Sequence, residues 1–206
     1  MRVVVPYATR EPKTRLAGVL SPDERSAFAA AMLADVLDAV RATGRDPEVL
    51  ATAPVDADAP VTVDDRPLTD AVNAVLADAA SDTEPVAVVM ADLALATPDA
   101  LSRLFETDAD LAVAPGRGGG TNALVVRHPD FRVDYHGTSF LDHLEIARSV
   151  GAGVEVVDSH RLATDVDERA DLTEVLVHAE GESFEWLQAA GFALAGDESR
   201  VGVVRE

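Results

Sequence analysis

Val86-Ala-Val-Val-Met90 is a run of five apolar residues without a polar interruption. It constrains the fold more than any other segment. A strand with one wet face alternates apolar and polar residues. A strand that is apolar throughout must be covered on both faces, as in a central parallel sheet flanked by two layers of helices. The run is also far too short to span a bilayer.

The rest of the chain supplies matching pieces. Arg2–Pro6 reads as a buried strand, followed by a loop from Tyr7 to Leu20. Ser21-Pro22-Asp23-Glu24 is a helix start, with Ser as N-cap, Pro at the first helical position and Glu closing a capping box. Phe28, Met32, Leu33, Val36, Leu37 and Val40 follow at helical spacing, and Gly44 ends the run. Short strands are expected at 48–53, 61–63, 111–114, 123–127 and 154–157. Helices are expected from Leu68 to about Ala80, after Thr97-Pro98-Asp99, from a Ser139 cap to about Val150, and from Asp167 or Glu168 to about Val177. The alternation predicts an α/β fold with a three-layer, mostly parallel sheet. The 206 residues fit a single domain, 1–206, whose tail 180–206 reads as a short helix around Trp186 and a hairpin.

Charge narrows the partners. Thirty-seven acidic residues against seventeen basic ones give a formal net charge of −20, a surface that repels nucleic acid and anionic membranes. Sixteen of the seventeen cations are Arg, and Lys13 is the only lysine. Abundant Asp and Glu with almost no Lys is the composition of a salt-adapted, halophilic protein. An acidic partner-binding face is the alternative. There is no cysteine, which excludes disulfides and thiol chemistry and fits a cytoplasmic protein. The N-terminus lacks a signal-peptide layout.

Three segments carry candidate chemistry. Arg10-Glu11-Pro12-Lys13-Thr14-Arg15-Leu16 gathers three cations in an acidic chain, and an ammonium beside a guanidinium suits a polyphosphate. An ordinary basic surface loop is the other reading. If Lys13 serves only a ligand, its removal should leave folding stability nearly unchanged. Gly116-Arg-Gly-Gly-Gly-Thr-Asn122 lies in residues 111–129, the longest stretch without Asp or Glu. Its backbone N–H groups could approach an anion, although a plain turn would look the same. Asp92, after the apolar strand, and Asp165-Val166-Asp167, at an expected strand-to-helix turn, offer oxygen ligands suited to Mg²⁺. Among so many acids the Asp-x-Asp pair says little alone, and Asp167 could be a helix N-cap. His136 and His143 flank Ser139 and could line a site or simply face solvent. No Gly-x-Ser-x-Gly elbow is present.

In this order, Val5-Pro6-Tyr7, Pro12-Lys13-Thr14-Arg15-Leu16, Ser21-Pro22-Asp23-Glu24-Arg25, Ala31–Leu37, Ala91-Asp92-Leu93, Gly119-Gly120-Thr121-Asn122-Ala123-Leu124, Ser139-Phe140 with His143, and Leu162–Asp167 resemble the archaeal 2-phospho-L-lactate guanylyltransferases. The resemblance implies a nucleotidyltransferase (Rossmann-like) fold, and a reaction joining GMP from GTP to 2-phospho-L-lactate with release of pyrophosphate, in biosynthesis of the deazaflavin coenzyme F-420. It implies that Lys13 and Arg15 hold the triphosphate, with Asp92 beside them in the catalytic set. Asp92, Asp165 and Asp167 would bind Mg²⁺, while Gly119, Gly120, Thr121, Gly137 and Ser139 would contact the small phosphorylated acid. A homodimer is implied too. Two departures stand out: Ala94 where relatives commonly have Pro, and Gly137 placed differently before Ser139. A sibling enzyme using phosphoenolpyruvate, another phospho-acid or a sugar phosphate is the nearest alternative. A non-catalytic acidic nucleotide-binding protein is a second.

Overall fold

The computed structural model describes residues 1–10, 12–81, 84–196 and 201–205. Seven strands form one sheet: β1 (Arg2–Tyr7), β2 (Pro47–Ala51), β3 (Val61–Val63), β4 (Val86–Val89), β5 (Leu111–Pro115), β6 (Thr121–Val126) and β7 (Val154–Val156). Their order is β3-β2-β1-β4-β6-β5-β7. All neighbours run parallel except those of β6, which is antiparallel to both β4 and β5.

The apolar run behaves as its composition requires. β4 lies fourth of the seven strands and is buried throughout. Its Ala87 and Val89 face one core, with Val3 and Val5 of β1, while Val86 and Val88 face the other, with Val4. The first core is covered by α1 (Pro22–Ala42), α3 (Pro98–Phe105), α5 (His160–Ala163), α6 (Asp171–His178) and α7 (Glu182–Ala189). The second is covered by α2 (Leu68–Ser81) and α4 (Ser139–Val150). These are the three layers. Among the described residues no helix is long and apolar enough to cross a membrane.

The capping box at α1 forms as read, with Ser21 Oγ accepting from Glu24 N–H and Glu24 Oε2 accepting from Ser21 N–H at 2.8 Å. Two helix starts differ from expectation. The cap position of α4 is Thr138, so Ser139 is the first helical residue and its hydroxyl is used elsewhere. α6 begins at Asp171, because the Asp171 carboxylate turns back to accept the backbone N–H groups of Asp167 and Glu168 at 3.0 and 2.7 Å, tying the preceding segment into a turn. Asp167 therefore does not cap the helix. A one-turn helix, α5, precedes that turn, so the Asp165–Asp167 segment joins two helices rather than a strand and a helix.

The last elements, α7 and the hairpin β8 (Phe192–Gly196) with β9 (Val201–Arg205), pack beside α1 and α6. Asp35 of α1 serves as a cap in trans: its Oδ1 accepts from Glu182 N–H at 2.6 Å, and its Oδ2 from the N–H and hydroxyl of Ser183. A Cβ at Gly181 would meet Asp35 Oδ1 at 2.1 Å, so only glycine admits this approach. Phe28 and Trp186 close the same seam with ring centroids 5.3 Å apart.

Candidate active site

The chain leaves β1 toward β2 on one side and leaves β4 toward β5, beyond β6, on the other, so the sheet has its topological switch between β1 and β4. Ligands of open α/β sheets bind beyond the carboxyl ends of the strands at such a point. A cleft of about 290 Å³ opens there, lined by Pro6, Tyr7 and Ala8 after β1 and by Met90, Ala91 and Asp92 after β4.

Lys13 reaches into this cleft from the loop after β1. Its backbone is left-handed, with φ 53°, the only positive φ at a non-glycine position among the described residues. Such a conformation costs roughly 1–2 kcal/mol, and the neighbouring turn and helix hold it in place. A 3₁₀ turn, Thr14–Leu16, buries Leu16 completely, and Arg25 of α1 donates to Pro12 O at 3.2 Å. The side chain is 10% exposed and its Nζ donates to Asp92 Oδ2 and Asp167 Oδ1, both at 2.7 Å. Two carboxylates 75 residues apart in the chain thus meet at one ammonium. Burial, the largest single influence, pulls the Lys13 pKa down, but the charges and hydrogen bonds of Asp92 and Asp167 together outweigh it and hold the ammonium above its ordinary pKa.

Asp92 is a carboxylate under pressure. Burial pushes its pKa up, Lys13 pulls it down, and the charges of Asp167 and Asp165 push it up again. Its Oδ1 is buried and has no hydrogen-bond partner among the described residues. Asp165 joins through Asn122, whose Nδ2 donates to Asp165 Oδ1 at 3.1 Å and to Leu162 O at 3.0 Å. Arg15 lies at the rim, 67% exposed, 3.5 Å from Asp167 and 3.9 Å from Glu168.

A β-bulge organises the far side. Ala114 pairs with Ala123, but Pro115 pairs with Thr121, which leaves Asn122 as the extra residue of β6. Bulges re-aim side chains. Here Asn122 turns toward Asp165 while Thr121 turns toward α4. Thr121 N–H donates to Ser139 Oγ at 3.0 Å, and Thr121 Oγ1 lies 2.8 Å from His143 Nδ1. The Asp134 N–H donates to His143 Nε2 at 3.0 Å, so Nε2 is the acceptor and Nδ1 carries the proton that goes to Thr121. Burial keeps that imidazole neutral, its pKa lowered to about 4. The Thr121 hydroxyl, already accepting from His143, has its own proton to give.

The glycine loop is more closed than a free anion cradle. The N–H groups of Gly116, Arg117 and Gly119 are spent on Gly120 O, Ala163 O and Gly116 O. Gly119 O in turn accepts from Phe140 N–H in the first turn of α4, and Gly120 sits beside Ser139. Gly119, Gly120, Thr121 and Ser139 therefore form one cluster. Gly137 is exposed, with φ 50° and open space where a Cβ would stand.

Several residues of this site carry no signal in the sequence. Asp171 accepts from Arg117 Nη2 at 2.6 Å as well as from the two backbone N–H groups of the aspartate turn, so it fastens the glycine loop to the Asp165–Asp167 segment. Asp171 and Asn122 are visible as types but not as partners. Thr52, Asp64 and Arg66 line the cleft on the side of β2 and β3, with Arg66 clamping both Asp64 oxygens. His143 faces the interior, fully buried, while His136 is exposed and paired with Asp134.

A family model described as "Guanylyl transferase CofC like" matches residues 1–205. The chain belongs to the CofC-like guanylyl transferase family. Among members of known name, the 2-phospho-L-lactate guanylyltransferase of Haloferax volcanii is 66% identical, with 100% of this chain and 99% of that protein covered. The protein of the same name from Halomicrobium mukohataei is 64% identical over the full length of both chains. Among solved structures, a nucleotidyl transferase from Methanothermobacter thermautotrophicus covers 91% of this chain and 98% of its own, at 15% identity and a TM-score of 0.60. A Desulfovibrio desulfuricans structure described as a nucleotide-diphospho-sugar transferase covers 92% and 95%, at 18% identity and a TM-score of 0.72. The CofC-like chain therefore has the nucleotidyltransferase fold.

Proposed function

We propose that this CofC-like protein is a 2-phospho-L-lactate guanylyltransferase, which transfers GMP from GTP to the phosphate of 2-phospho-L-lactate and releases pyrophosphate. The observation that carries the reading is the meeting of Lys13, Asp92 and Asp167 at the switch point of a full-length family member. A phosphate oxygen of the acceptor attacks the α-phosphorus, a P–O–P bond forms, and the bond to the β-phosphate breaks. The acceptor is already an anion, so no general base is needed. What the protein must supply is positioning and charge neutralisation.

Each group has a task that its surroundings support. The apolar lining of the cleft, from Pro6, Leu50, Leu68 and Met90, suits the flat face of a purine. Asp64, at its polar end, is the carboxylate that could accept from the guanine N–H edge. Lys13 and Arg15 neutralise the triphosphate. Thr121, whose hydroxyl accepts from His143 and keeps its own proton to give, would donate to the acceptor phosphate beside Ser139, Gly119 and Gly120. Gly137, two residues ahead of Ser139, completes the set through its backbone.

The donor set suits a hard divalent cation in its chemistry, and its three carboxylates would have to close in to share one, since they do not all stand within 4.8 Å of one another. The set is all oxygen, from Asp92, Asp165 and Asp167, and the buried Asp92 Oδ1 lacks a partner. Mg²⁺ bound there would neutralise phosphate oxygens and polarise the reacting phosphorus. Lys13 would then keep its ammonium between Asp92 and Asp167, fixing both carboxylates before substrate arrives.

Pyrophosphate release tests the proposal, measured with GTP, ATP and CTP against 2-phospho-L-lactate, phosphoenolpyruvate and a sugar phosphate. Turnover with GTP and 2-phospho-L-lactate well above the other pairings is expected. Preference for another acceptor or base would replace the reading with a sibling transferase, and nucleotide binding without pyrophosphate would leave a binding protein.

A further inference from the structure

One polar cluster is not used by this chemistry. His160, at the start of α5, meets Glu174 and His178, which lie one turn apart on α6. His160 Nε2 is 3.3 Å and His178 Nε2 is 3.6 Å from the same oxygen, Glu174 Oε2. The two imidazole rings stand edge to face, with centroids 5.4 Å apart and planes at 78°. One ligand atom from each residue lies within 4.8 Å of the others.

These distances discriminate between two accounts. A charge-assisted N–H···O bond closes to about 2.7–2.9 Å, and both contacts are longer than that. A tetrahedral ion with bonds of about 2.0–2.2 Å sets its ligand atoms roughly 3.3–3.6 Å apart, which is the spacing of both His–Glu pairs. Two neutral imidazoles with one carboxylate are also a ligand set of Zn²⁺ sites that keep a fourth position for water. The nitrogen donors disfavour Mg²⁺ and favour a borderline transition ion.

We propose that His160, Glu174 and His178 bind one Zn²⁺-class transition-metal ion. The net charge of −20 favours any cation at the surface, but only this cluster, among the described residues, brings two imidazoles and a carboxylate together. The ion links α5 to α6 and so staples both ends of the connection that carries Asp165 and Asp167. Its role is structural, holding that connection taut, and it does not rest on the identity of the substrate.

The test uses the untagged, full-length chain, stripped with EDTA and returned to KCl buffer containing excess Mg²⁺ to occupy oxygen-only sites. Zn²⁺ is then titrated calorimetrically, and Co²⁺ is added to a second sample to read its visible ligand-field bands. One Zn²⁺ per chain and intense, tetrahedral-type Co²⁺ bands are expected. At Zn²⁺ about a hundredfold above Kd, the melting midpoint should rise by roughly 5 °C or more. His160→Ala, His178→Ala and Glu174→Gln should each weaken Zn²⁺ binding at least tenfold, and Asp92→Asn should not. Wild-type protein that takes up no Zn²⁺, weak octahedral-type bands, binding that survives both histidine changes, or binding lost with Asp92→Asn would each overturn the proposal.

Discussion

Replacing Lys13 with alanine tests the centre of the site and separates two pictures of the basic loop. Were Lys13 an exposed cation serving only a ligand, folding stability would not change. The structure instead places its Nζ 2.7 Å from both Asp92 and Asp167. Without it, two carboxylates face each other across about 5 Å, a repulsion of about 3 kcal/mol at an effective dielectric near 20. The two side chains remain 27% and 34% exposed, and molar salt shortens the Debye length to about 3 Å, so about 1–2 kcal/mol should survive. For a chain of this size that is a midpoint lowered by roughly 2–8 °C. The deficit has a pH signature. Asp92 is raised in the fold, by burial first, and loses the opposing pull of Lys13 in the variant. A raised carboxyl favours the fold below its unfolded pKa and loses that contribution as pH rises through the folded value. The deficit should therefore be small in acid and grow toward neutrality. Mg²⁺ should repair it, raising the midpoint of the variant more than that of the wild type, while pyrophosphate release stays down about ten- to a hundredfold from the lost charge-assisted contacts. Lys13→Gly, which relieves the left-handed backbone, should melt higher than Lys13→Ala by the equivalent of about 1 kcal/mol. Thermal melts by circular dichroism in 1 M KCl (the concentration at which the Debye length is about 3 Å), with EDTA or with Mg²⁺, read all of this. Identical midpoints for Lys13→Ala and wild type in EDTA would refute the bridging role.

Three further outcomes are expected. His143 is buried with its pKa lowered to about 4, so stability present above about pH 6.5 should fall by roughly 3 kcal/mol as pH drops through that window; urea titrations should show His143→Gln with a flatter profile there. Gly116→Ala puts a Cβ 2.5 Å from Asn122 Oδ1, so it should cost roughly 1–3 kcal/mol and displace Asp165, lowering turnover. Gly118→Ala, with nothing within 4 Å, is the silent control in the same assays. With a net charge of −20, melting midpoints should climb as KCl rises from about 0.1 to 3 M, following the shrinking Debye length; a flat series would argue against salt adaptation.

The layered fold was legible because it depends on composition within single elements. β4 is apolar on both faces, α1 carries its own cap and stripe, and those facts do not need tertiary context. The positions of Lys13 after β1 and Asp92 after β4 were inferable from the same pattern, whereas Asp165 and Asp167, expected after a strand, lie between α5 and α6. What the sequence withheld was partnership. Nothing in Thr121-Asn122 announces a bulge that sends the two side chains to opposite partners, since a bulge is a property of the paired strand as well. Asp171 is one acid among many, and its role exists only because α6 starts later than its local pattern suggests. Likewise Ser139 and Asp167 both look like caps, but each is claimed by a longer-range contact, with Thr121 and Lys13, that local propensity cannot weigh. His160 and His178 stand 18 residues apart in the chain, outside any ligand spacing one would search.

The cap that Asp35 provides to α7 also orders events on the ribosome. Translation delivers α1 early, yet the elements that cover its Phe28 and Asp35 are made from Glu182 onward. Until they emerge, the nascent chain carries an open apolar seam along a helix that has otherwise reached its place on the sheet. Partly covered chains of this kind are the ones that aggregate or engage chaperones. A message truncated just before Gly181 would encode every residue assigned here to the reaction, yet yield a chain with Phe28 and Asp35 of α1 left uncovered.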